Sequence, residues 1–181
     1  VDDLLPHLRE HGLLLLQHKS LPSAAGLIAG ESLSTSWWSH PRAQEIFRKL
    51  EELEDSGDAI ATRLIDRRVT FVHRRLWPAV QAAGSARQPW QMSRLSREAI
   101  ALLRRVDREK RAAATGPPAK LLQERLLVHA HEEHTPSGKH VTVLEPWTVL
   151  GEFDVPVATA KKQLENAAEG IGAPLMLLPW R

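Results

Sequence analysis

The sequence predicts an α+β, mostly helical fold, and three observations carry that prediction. Apolar residues recur at helical spacing over 43–53 and again over 95–106. Two turn signals, Asp66-Arg67 and Thr135-Pro136-Ser137-Gly138, each separate a pair of β-prone runs. The 181 residues are 43% hydrophobic and 25% charged, the balance of an ordinary globular chain. That length suits an N-terminal α+β subdomain over 1–88 packed on a second subdomain over 89–181, or one compact unit spanning both.

Each element has a local reason. Ala43, Ile46, Phe47, Leu50 and Leu53 form the stripe of an amphipathic helix. Pro41 suits its first turn, where a missing N–H costs nothing, and Ser56-Gly57-Asp58 ends it. Ile60–Ile65 and Arg68–His73 read as strands of a hairpin. Leu76–Ala83 reads as a helix that stops at Gly84, and 84–89 as a connector. Over Leu95–Ala113, Leu95, Ala99, Leu102, Leu103 and Val106 fall on one helical face. Thr115-Gly116-Pro117-Pro118 breaks the chain and restarts a helix over Pro118–Leu126. Leu127–His134 and Lys139–Trp147 then form a second hairpin. A last helix over Ala158–Glu169 ends at Gly170 and Gly172, and Ala173–Trp180 is a closing strand or packed tail.

Composition narrows the chemistry. The chain has no cysteine, which excludes disulfides, thiolate metal sites and a cysteine nucleophile. The longest aliphatic run, Leu13–Leu16, is far short of the roughly 20 residues of a membrane helix. Val1–Leu8 carries Asp2, Asp3 and Pro6, unlike a signal peptide, so a cytoplasmic protein with no membrane partner is expected. No Gly-x-Ser-x-Gly elbow or phosphate-cradling glycine loop is present, and no enzyme class emerges by motif.

Charge is unevenly placed. The formal net charge is only +2, but 61–111 holds 13 Lys+Arg against four Asp+Glu, leaving the other residues net acidic. Arginine dominates, and its planar guanidinium binds phosphate bidentately. Arg94, Arg97, Arg104, Arg108 and Arg111 fall in one helical arc, nearly opposite the apolar stripe. With Arg67, Arg68, Arg74 and Arg75 they form the expected polyanion-binding surface. The same residues also fit an ordinary solvated surface with local ion pairs.

Helix, break, helix and β-hairpin, over 96–113, 118–126 and 127–147, is the element order of the winged helix-turn-helix superfamily, which this part of the chain resembles. The resemblance implies a second helix that enters the major groove, projecting Lys120, Gln123 and Glu124, and a wing carrying Ser137, Lys139 and His140. It also implies that the protein binds nucleic acid, duplex DNA above all. Some winged helices serve as protein-interaction modules, which is a second implication. The chain is similar as well to the winged-helix alkylpurine DNA glycosylases, though shorter. It lacks their Gln-x-Gln motif, since Gln88-Pro89-Trp90-Gln91 has another spacing, so the activity does not carry over.

The second hairpin holds His129, His131, His134 and His140. If Thr135–Gly138 is the turn, His134 pairs with Lys139, Glu133 with His140 and His131 with Thr142. Side-chain alternation then puts His129, His131, Glu133 and His140 on one face, with Val128, Ala130, Val141 and Val143 on the core face. Imidazole and carboxylate suit Zn²⁺, so a metal-binding protein or metal-dependent hydrolase is the alternative reading; otherwise no cofactor is expected. A polar, solvated hairpin face is the plain alternative to a metal site. Trp37-Trp38 reads as a packing anchor or as a stacking platform for bases.

Overall fold

A computed structural model describes residues 4–134 and 138–181, and the fold is α+β with two small antiparallel sheets. The chain runs α1 (Leu4–His11), β1 (Leu13–Leu15), α2 (Ala24–Ala29), α3 (Ala43–Asp55), β2 (Ala59–Ile65), β3 (Arg68–His73) and α4 (Trp77–Ser85). It continues through α5 (Pro89–Met92), α6 (Arg97–Glu109), β4 (Ala112–Ala113), α7 (Gly116–Glu124), β5 (His129–His134), β6 (His140–Glu145) and α8 (Val157–Gly170). Among the described residues no helix is long and apolar enough to cross a membrane. Ser137, assigned from the sequence to the hairpin tip, lies outside the described residues, as do Thr135, Pro136 and Val1–Asp3.

Two compact units divide the chain. The first comprises the residues up to Trp77 with Lys162–Pro179 and Arg181. Its sheet has the order β1-β3-β2, with Leu14 opposite Phe71 and Ile60 opposite Val72. The turn between β2 and β3 is the two residues Asp66 and Arg67, both left-handed at φ 51° and 55°. Two left-handed residues make the type I′ geometry whose twist matches the flanking strands. Ile46, Leu50 and Leu53 of α3 pack with Leu4, Leu8, Ile28, Trp37 and Phe71 in one core. Four of the five stripe residues therefore pack, while Phe47 is 39% exposed, and α3 starts at Ala43 and leaves Pro41 outside its first turn. Leu13–Leu15 is fully buried as a strand, which a run of four leucines does not reveal. Leu175–Leu177 is a 3₁₀ turn rather than a strand, and its last carbonyl accepts from Asp66 N–H at 2.9 Å.

The second unit comprises Pro78–Lys161 and Trp180. Its sheet repeats the pattern, β4-β6-β5, so in both units the first strand pairs with the last strand of the hairpin. Ala99, Leu103 and Val106 of α6 join Ala112, Leu122, Val128 and Leu144 in a core of their own. Ser96 caps α6 by accepting from Ala99 N–H at 3.1 Å. The helix ends earlier than its periodicity suggests: Lys110 is left-handed at φ 62°, and Ala112–Ala113 turns away as β4 against Leu144 and Val143. Gly84 does not end α4 but lies inside it. A Cβ there would sit 2.5 Å from Trp147 Cδ1 and 2.8 Å from the Leu126 carbonyl, so glycine serves close packing instead of termination. Trp147 is 2% exposed and donates its indole N–H to that carbonyl at 2.7 Å.

Candidate functional site

The arginines meet different fates in the two units. In the first, Arg67 is exposed at the hairpin turn, while Arg68 Nε donates to Asp66 at 3.0 Å. Arg74 pairs with Asp58 at 3.2 Å, and Arg75 donates to the Glu10 carbonyl at 2.8 Å. In the second, Arg97, Arg104 and Arg108 lie exposed on α6, opposite the buried Ala99, Leu103 and Val106. Arg108 reaches Glu109 at 2.8 Å, whereas Arg97 and Arg104 have no acidic partner among the described residues. Arg94 precedes the helix with a left-handed φ of 58°. Arg111 lies beyond the Lys110 cap and is not part of the helical row; the cap redirects it to the hairpin acids. Lys120 of α7 pairs with Glu124 at 3.7 Å, and Lys139 is exposed beside the start of β6.

The hairpin register corrects the expected histidine face. His134 pairs with His140, Glu133 with Val141, His131 with Val143 and His129 with Glu145. The connection takes in Lys139, one residue more than the turn signal suggests, and a one-residue slip turns every β6 side chain over. His140 consequently lies on the other face, with Thr142 and Leu144, and does not join the candidate ligands. Thr142 Oγ1 donates to Glu132 at 2.6 Å on that face, and Leu144 enters the core. Val141 and Val143 share the histidine face, where Val143 is still buried, and Glu145 arrives on that face opposite His129.

A ring nitrogen of His129, a ring nitrogen of His131 and a carboxylate oxygen of Glu145 all lie within 4.8 Å of one another. His129 is 8% exposed, its ring 5.6 Å from that of Trp147, and its buried Nδ1 has no hydrogen-bond partner. Burial holds its pKa at about 4, with a smaller contribution from His131, so the ring is neutral near pH 7. His131 Nε2 is 2.8 Å from Glu133 Oε1, and its Nδ1 is 3.6 Å from Glu145 Oε2. Arg111 bonds Glu133 with one amino group and approaches Glu145 Oε1 at 3.6 Å with the other. That guanidinium hydrogen bond, and then the one from His131, hold the Glu133 carboxyl down at about 2.

No known protein family, curated protein or solved structure matches the chain. What these residues can do follows from their chemistry. Two imidazoles and a carboxylate can share a cation, and exposed guanidinium groups can bind phosphate. Glu133 is beside the cluster as a partner of His131 and Arg111. Glu145 escaped sequence reading because its place depends on the length of a connection, and the signal that finds it is the one-residue alternative register. The two adjacent tryptophans divide their work: Trp37 is buried, and Trp38 stacks on it at 3.9 Å while remaining 62% exposed.

Proposed function

We propose that the protein binds nucleic acid, duplex DNA above all, through phosphate contacts from its exposed arginines. The observation that carries this reading is the row Arg97, Arg104 and Arg108 along the solvent face of α6, with two of the three lacking an acidic partner among the described residues. Solubility alone does not call for three guanidinium groups within one narrow arc opposite the packing stripe.

A winged-helix arrangement is the finer form of this reading. It is supported by the order α6, β4, α7, β5, β6 with β4 beside β6, and by the same strand order in the first unit, where α2 and α3 precede the β2–β3 hairpin. The charge of α3 argues against that helix as a reader of DNA, since Glu45, Glu51, Glu52, Glu54 and Asp55 outnumber Arg48 and Lys49. In the first unit the contacts fall instead to Arg67 and Arg68 at the hairpin turn. Lys120 and Lys139 add to the second unit, although Glu124 offsets Lys120. Arg111 is withdrawn, because Glu133 and Glu145 already hold it.

Binding of a fluorescent duplex across a salt series tests the proposal. Affinity should fall by a factor on the order of 10² or more between low and moderate salt if several phosphates are neutralised. Replacing Arg97, Arg104 and Arg108 together by alanine should lower the log–log salt slope by about two to three. Binding that is insensitive to salt, or unchanged in the triple variant, would refute it.

A further inference from the structure

We infer that His129, His131 and Glu145 form a divalent-cation site, with Zn²⁺ the best fit, on one face of the β5–β6 hairpin. The inference is independent of nucleic-acid binding. Three observations point to a ligand there. The donor atoms already converge to within 4.8 Å, while a tetrahedral zinc site with bonds of about 2.1 Å needs them about 3.4 Å apart, a closure that side-chain rotation supplies. His129 is a buried imidazole with an unpartnered nitrogen, and a buried polar atom left unpaired is costly.

The third observation concerns His131. In the tautomer whose Nε2–H donates to Glu133 at 2.8 Å, Nδ1 carries a lone pair that faces Glu145 Oε2 at 3.6 Å. Two electron-rich atoms facing each other repel, and a cation between them turns that repulsion into coordination. A histidine that donates its second N–H to a carboxylate is the usual outer-shell arrangement of a metal ligand. Glu133 thus positions His131, and Arg111 holds Glu145 Oε1 and leaves Oε2 turned inward. With neutral imidazoles, the two carboxylates and one guanidinium carry a formal charge of −1, which favours a dication. Three protein ligands leave a fourth position for water or another small donor.

The competing account is a doubly protonated His131 bridging Glu133 and Glu145 with no metal. Isothermal titration of the metal-stripped 181-residue chain with Zn²⁺, and optical titration with Co²⁺, separate the two. The inference expects one Zn²⁺ per chain and visible Co²⁺ absorption of tetrahedral intensity. His131→Ala, at a half-exposed position, and the isosteric Glu145→Gln should each weaken Zn²⁺ binding at least about tenfold, the lower end of what even an outer-shell change costs. His140→Ala, on the opposite face, should leave binding unchanged, and circular dichroism checks that each variant is folded. Absence of stoichiometric uptake, or uptake that both His131→Ala and Glu145→Gln retain in full, would overturn the inference.

Discussion

Lowering the pH from 7 to 5 should destabilise the metal-free protein through His129 in particular. Its ring is 8% exposed, and folding moves its pKa from 6.5 to about 4. The shift is downward for a base, so the folded chain refuses a proton that the unfolded chain accepts. Above pH 7 both states are neutral and nothing is lost. As the pH falls through 6.5 the unfolded state is charged first, and stability declines until the folded ring also protonates near 4. Integrating the difference gives about 2 kcal/mol lost between pH 7 and 5, approaching about 3 kcal/mol by pH 4. His129→Gln cannot ionise and should be less pH-dependent by that amount. Urea unfolding of both proteins at pH 7 and 5, in the presence of a chelator, measures it. His7, His18 and His73, whose pKa values burial also lowers, are present in both chains and cancel. Equal losses in wild type and variant would refute the reasoning.

Two packing predictions concern the same unit. Gly84→Ala should destabilise by about 2 kcal/mol or more, because the overlap with Trp147 and the Leu126 carbonyl outweighs the roughly 1 kcal/mol that alanine gains in a helix. Urea midpoints and a red shift in tryptophan emission read it out. Gln91→Leu should cost about 2–3 kcal/mol by chemical denaturation. Its buried amide donates to the Gly84 carbonyl at 2.8 Å and the Arg125 carbonyl at 3.2 Å, and its oxygen accepts from Gln88 N–H at 2.8 Å. A neutral outcome at Gln91 would mean that water replaces those bonds.

What is legible in this sequence is what short windows encode. The stripe over 43–53, apart from the exposed Phe47, and the one over 95–106 specify two amphipathic helices and the faces they bury, because a helical face repeats every three to four residues. The turn Asp66-Arg67 and its flanking β-prone runs specify the first hairpin to within a residue. The exposed row Arg97, Arg104 and Arg108 follows from the same periodicity as the buried stripe opposite it.

Tertiary structure decided the rest, for reasons no local window contains. Leu13–Leu15 becomes a strand only because Thr70–Val72, far along the chain, offers it a partner. Ala112–Ala113 leaves the helix for β6 in the same way, and in doing so carries Arg111 from the arginine row to Glu133 and Glu145. Gly84 looks like a terminator until the indole of Trp147 is placed against it. The histidine cluster shows the limit most plainly. Residue types alone place imidazoles and carboxylates on one hairpin, but alternation has a period of two. A single extra residue in the connection therefore exchanges His140 for Glu145 and determines which atoms can share a cation.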